Sequence, residues 1–180
     1  MESLSTNAST PEINELHTLA QGSDIRVTRY PGCFVNGVKF LTKDRDRRRK
    51  CQNSGVRVEG EHKGKSTDYF GVLTEILELT YGGNKHVVIF KCEWFDSRCF
   101  QRDNFFISVD VSRKWYSDDP YILAIQASQV FYVPDTIKSK GDWYVVQSVE
   151  HRQIWDSTFL ASFGDEGNLD KHDENGNIYQ

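Results

Sequence analysis

Two apolar runs dominate the middle of the chain. Residues 69–81 read YFGVLTEILELTY and residues 87–95 read VVIFKCEWF, with Gly82-Gly83-Asn84-Lys85 between them. The second run is rich in β-branched and aromatic residues, which fit a pleated surface better than a helix. Ile76, Leu77 and Leu79 have helical propensity, yet the connection has hairpin length. The expectation is a long hairpin, residues 69–80 paired with residues 86–95. A hairpin of that length needs further strands or a second layer to cover its faces.

The flanking sequence supplies them. Asn36-Gly37 separates Phe34-Val35 from Val38-Lys39-Phe40, and both turn residues tolerate positive φ, so residues 33–35 and 38–42 read as a tight hairpin. Val56-Arg57-Val58-Glu59 alternates as a half-buried strand, and residues 60–65 (GEHKGK) read as the polar loop that ends it. In residues 104–111 (NFFISVDV), Phe105, Ile107, Val109 and Val111 fall on one face, expected to be buried. Residues 129–133 (QVFYV), stopped by Pro134, and residues 143–149 (WYVVQSV) complete the set. Two minor helices are expected. Ile13, Leu16 and Ala20 share a helical face within residues 12–20, with Gly22 following. Asp118-Asp119-Pro120 resembles a helix start leading into residues 121–127. A helical turn is also expected between His151 and Phe163. The fold class is mainly β: a small bent barrel or an SH3-like or bromo-adjacent-homology-like sandwich, with one or two short helices.

Charge divides the chain into parts. Its 22 Lys+Arg against 26 Asp+Glu leave a formal net charge of -4. Residues 164–180 hold five acids and one base, which accounts for all of it. Residues 43–50 (KDRDRRRK) carry six bases and two acids. The domain reading is an N-terminal tail with a short helix over residues 1–24, a β domain over residues 25–156 and an acidic, disordered tail over residues 157–180.

Several chemistries lack their motifs. There is no phosphate-binding glycine loop, no dinucleotide fingerprint and no nucleophile elbow. Cys33, Cys51, Cys92 and Cys99 lack the spacing of a zinc site and read as reduced thiols. The histidines are scattered, and no cofactor, metal or catalytic residue is assigned. An enzyme acting through Cys or His is the minor reading, with Cys51 and Cys99 as the thiols to test. No apolar run reaches 18 residues and no secretory signal is visible.

Binding chemistry is left. Lys43, Arg45, Arg47, Arg48, Arg49 and Lys50 have the electrostatics to meet phosphates. They read equally as a solvated loop balanced by Asp44 and Asp46, and RRRK also fits a nuclear import signal. Tyr69, Trp94, Phe95, Trp115, Tyr116 and Tyr132 fall in or near expected strands. They are either core residues or the lining of a groove for a peptide or a methylated lysine, held by cation–π attraction.

Ordered segments carry a family resemblance. QNSGVRVEGEHKGKSTDYFGVLTEILELTY, VVIFKCEWFD, DPYILAIQASQVFYVPD and WYVVQSV, preceded by VNGVKFLTKDRDRRRKCQNSG, resemble one domain of plant CACTA (En/Spm-type) transposases. It is the uncharacterised domain that follows the catalytic core, and the resemblance covers roughly residues 25–156. It implies a nuclear, DNA-associated accessory role and carries over no functional residues. The catalytic core with its three metal-binding carboxylates would lie upstream, and the chain is expected to lack it, as a fragment or a domesticated domain. The leading expectation is a non-catalytic module binding DNA, chromatin, transposase or another protein subunit. The alternative is an oligomerisation or protein-interaction domain without nucleic-acid affinity. No membrane partner is expected.

Overall fold

The structure is a computed structural model and describes residues 10–62, 64–103, 105–138, 141–149 and 161–162. The elements run in chain order α1 (Pro11–Ala20), β1 (Ser23–Tyr30), β2 (Gly32–Val35), β3 (Val38–Leu41), α2 (Lys43–Asp46), β4 (Gly55–His62), β5 (Lys65–Tyr81) and β6 (Lys85–Phe95). They continue as a 3-10 turn (Ser97–Cys99), β7 (Gln101–Arg102), β8 (Ile107–Asp110), β9 (Lys114–Trp115) and β10 (Tyr121–Leu123). A second 3-10 turn (Ala124–Gln126), β11 (Ser128–Pro134), β12 (Trp143–Ser148) and β13 (Ala161–Ser162) complete the set.

The fold is mainly β with two short helices. The central hairpin is the expected one, β5 against β6, running from Gly71 opposite Trp94 to Tyr81 opposite Lys85. Around it the large sheet is ordered β10-β6-β5-β4-β11-β12-β8-β7, with β1 beside β5 and β9 beside β6. One edge of β5 serves two partners, β4 along its first half and β1 along its second. A separate small sheet is ordered β13-β2-β3.

Period-two alternation puts a core on each side of the hairpin. Leu73, Ile76, Phe90, Cys92 and Trp94 face one side, where Cys33, Val35 and Phe40 of the small sheet and Val56 of β4 cover them. Phe70 and Phe95 face the other side and meet Val109, Val130, Tyr132 and Val146. Leu73 and Ile76 share a face although three positions separate them. The pairing slips between Leu73 and Glu75, so Thr74 is an extra residue and resets the alternation. Its hydroxyl donates to the Lys91 carbonyl at 2.9 Å.

The Asn36-Gly37 hairpin forms as expected, with φ of 51° and 77° at the two turn residues. Helix α1 forms where its pattern placed it, capped by the Thr10 hydroxyl, which accepts from the Ile13 amide at 3.4 Å. Glu15 pairs with Lys85 at the β5–β6 turn, and the apolar side chains Ile13, Leu16 and Leu19 stay exposed.

Four expectations are corrected. Residues 60–62 are not loop but the end of β4, paired in turn with Thr67, Ser66 and Lys65 of β5. Residues 121–127 are not two helical turns: Tyr121–Leu123 are strand β10, and only Ala124–Gln126 make a 3-10 turn. Cys92 donates to the Pro120 carbonyl, and Tyr121, Ile122 and Leu123 pair with Lys91, Phe90 and Ile89. The open edge of β6 offers a ladder of backbone partners that outweighs a local capping signal. In β8, Val109 is buried, but Phe105 precedes the strand and is 87% exposed. Buried Ser108 and Asp110 find polar partners instead: Ser108 meets Asp135, and Asp110 accepts from Ser112. The barrel does not close. Among the described residues the sheet ends at β10 and β7, only three and two residues long, too short to knit a shared ladder.

The helical turn expected in residues 151–163 and most of the acidic tail lie outside the described residues. Within that tail, Ala161 and Ser162 pair with Val35 and Phe34 of β2.

Candidate binding groove

The basic segment folds from Thr42 into one helical turn, α2. It is anchored by Asp46, whose Oδ2 accepts from the Asn53 amide at 2.8 Å, the Ser54 amide at 3.0 Å and the Ser54 hydroxyl at 2.7 Å. This anchor divides the six bases. Lys43 reaches away to Glu93 at 2.8 Å. Arg45 and Arg49 are half-buried, whereas Arg47, Arg48 and Lys50 are exposed, with Arg47 lying 3.8 Å from Asp44. Six bases within eight residues of sequence are three exposed cations in space.

The aromatic residues divide as well. Tyr69, Trp94 and Tyr116 converge on one cleft of about 370 Å³, joined by Tyr121. Each comes from a different element: Tyr69 from β5, Trp94 from β6, Tyr121 from β10, and Tyr116 from the residue after β9. The Tyr69 and Tyr116 rings meet edge to face, 5.6 Å apart at 78°. Tyr116 holds φ at 54°, a left-handed conformation rarely taken by a bulky residue, and it aims the ring into the cleft. Trp115 stacks on it at 4.5 Å, and the Arg98 guanidinium lies 4.4 Å from the Trp115 ring centroid.

Phe95 and Tyr132 do not reach the cleft. Phe95 is 1% exposed in the opposite core, where its ring meets Tyr132 at 5.4 Å. The Tyr132 hydroxyl donates to the Gly71 carbonyl at 2.8 Å, so its polar tip is satisfied inside the protein. One-residue spacing separates Trp94 from Phe95, and the pleat sends them to opposite faces.

Three carboxylates complete the lining, Glu59, Glu61 and Asp119, and no Lys or Arg is among the described lining residues. Glu59 is held by Arg57 at 2.7 Å, and Arg57 also binds Asp68. Two of these acids, Glu61 and Asp119, are not visible as site residues in the sequence. Glu61 lies in the segment read as loop, and Asp119 was assigned the role of a helix cap. The alternation V-R-V-E-G-E carried on through residue 61 was the available signal. The Tyr69 phenol is pushed up by burial, and by the Tyr116 hydroxyl beside it, so it stays neutral and donates to the Glu61 carbonyl at 3.3 Å.

Other titratable groups brace the region. Hydrogen bonds from Lys43 hold Glu93 below its ordinary value, Arg98 does the same for Asp96, and Lys91 for Glu75. A carboxyl depressed by folding contributes stability above its unfolded value, about 4, and loses it as pH falls through the folded value. The melting temperature is therefore expected to drop as pH is lowered below about 4. Asp96→Asn should flatten that slope, and an unchanged slope by circular dichroism would count against the assignment.

Burial pushes the Cys33 thiol up to about 12 and the Cys92 thiol up as well, so neither is primed as a nucleophile. All four cysteines are free, with Cys51 exposed. Among the described residues, no three His, Cys, Asp or Glu side chains gather as metal ligands, and no helix is long and apolar enough to cross a membrane.

Residues 77–146 match a domain of unknown function, DUF4216. The match begins inside β5 and ends inside β12. It therefore contains Trp94, Tyr116, Asp119 and Tyr121 of the groove, whereas Tyr69, Glu59 and Glu61 precede it. No curated protein and no solved structure matches the chain.

Proposed function

We propose that this chain is a non-catalytic interaction module of a transposase-related protein and that its groove holds a segment of a protein partner. The matched family occurs in plant transposase-related proteins, which supports the association. The finer reading is a nuclear accessory domain of CACTA (En/Spm-type) transposases, following the catalytic core in the larger protein. The observation that carries the function is the groove itself: four aromatic side chains from four elements converge on one cleft. Convergent aromatic walls with a few placed polar groups are the usual make-up of a specific binding site.

DNA is the second reading, favoured by exposed Arg47, Arg48 and Lys50 on an anchored turn. It belongs to a different surface, because a cleft with three carboxylates repels phosphate. The two readings separate in one experiment. An arrayed peptide library and a duplex oligonucleotide are offered to the chain, to Tyr69→Ala/Tyr121→Ala and to Arg47→Ala/Arg48→Ala/Lys50→Ala. The expected result is peptide capture lost in the first variant and retained in the second. DNA binding should be weak, salt-dependent and confined to the basic turn. Failure of every peptide, with tight duplex binding abolished by the second variant, would replace the proposal with the DNA reading.

A further inference from the structure

Resting on the reading of the groove as a protein-binding site, we infer that the group it takes is a lysine side chain of the partner polypeptide. Three features of the cleft agree on this. First, Tyr69, Tyr116 and Tyr121 give it accessible π-surface, with Trp94, 4% exposed, behind them, and such rings attract a cation and bury its methylene stem as well. Second, the polar lining is acidic: Glu61 and Asp119 are exposed, Glu59 is already paired with Arg57, and no Lys or Arg is among the described lining residues. A cation entering the cleft is complemented at once, whereas an anionic ligand is repelled. Third, the protein's own cations leave these rings alone. Among the described residues the cation–π pairs are Arg98 on Trp115, Lys114 on Phe95 and Lys138 on Trp143. None of the three covers Tyr69, Trp94, Tyr116 or Tyr121.

The ring geometry favours lysine over arginine. Tyr69 and Tyr116 stand at 78° to one another. A planar guanidinium can stack on one such ring at a time, whereas a compact ammonium meets both. A cleft of about 370 Å³ also has room for an extended lysine and its neighbouring backbone. The basic turn lies outside the lining.

The test uses a short neutral peptide with one central position varied as lysine, trimethyllysine, arginine, norleucine or acetyllysine. Binding to the full chain is followed by the NMR shift of the Trp94 indole N–H. The lysine peptide is expected to bind about tenfold tighter than the norleucine and acetyllysine peptides, which keep the stem and lose the charge. Glu61→Gln/Asp119→Asn should weaken the lysine peptide severalfold while leaving the norleucine peptide unchanged, and both sites are exposed enough to keep the fold. Trimethyllysine binding as well as or better than lysine supports the inference and identifies the modified form as the ligand. Norleucine or arginine binding as tightly as lysine overturns it while leaving a peptide groove in place. If no peptide moves Trp94 and the library also yields none, the underlying protein-binding reading fails with it.

Discussion

Replacing Phe90 with alanine is expected to destabilise the protein by about 3–5 kcal/mol, the range for emptying a buried aromatic site. Phe90 is fully buried at the centre of β6. It pairs with Ile76 on β5 and with Ile122 on β10, and its ring lies 5.2 Å from Phe40 of the small sheet. One side chain thus joins the central hairpin, the edge strand and the second sheet. A domain of this size should lose roughly 10 °C in melting temperature. Urea denaturation measures the first and a thermal scan the second, both followed by circular dichroism. Phe105→Ala, at a ring 87% exposed, should change stability by less than about 0.5 kcal/mol. Similar losses for the two variants would show that Phe90 is not the junction described.

The second large effect concerns a backbone contact. At Gly55 an added Cβ would lie 2.0 Å from the Val130 carbonyl oxygen and 3.1 Å from the Tyr132 ring. The obstacle is main chain and cannot rotate away, so β4 and β11 must separate. Gly55→Ala is expected to cost on the order of 3 kcal/mol or more, at or beyond the upper end for overpacking. The damage should be directional. β4 meets β11 through only Ser128–Arg57 and Gln129–Val56, and this junction alone ties β11, β12, β8 and β7 to the hairpin in the sheet order. Amide exchange should therefore accelerate in β11 and β12 before it does in β5 and β6. Uniform protection across the sheet would contradict this.

These two positions show how differently fold information is distributed. Phe90 sits in VVIFKCEWF, where composition and a short Gly-Gly-Asn-Lys connection foretell a strand. Gly55 directly precedes the alternating Val56-Arg57-Val58-Glu59, and nothing local reveals that another backbone passes within contact distance. The same contrast runs through the groove. Tyr69, Trp94 and Tyr116 stood out as aromatics near strands, but so did Phe95 and Tyr132. The pleat sent these two to the other core, through the one-residue step from Trp94 and through the hydroxyl contact with Gly71. Asp119 and Tyr121 were masked by a local helix-start signal that the open edge of β6 overrode.

The sequence by itself determined the mainly β class, the central hairpin, the Asn36-Gly37 turn and helix α1. Each of these follows from neighbours along the chain: side-chain alternation, turn residues that accept positive φ, and an apolar face at helical spacing with a glycine after it. Only the tertiary structure decided that the sheet stays open, that a basic run of six becomes three exposed cations around buried Asp46, and that four aromatics and three carboxylates share one cleft. Those outcomes depend on residues far apart in sequence competing for the same backbone edges and the same interior space. A local pattern contains no term for that competition.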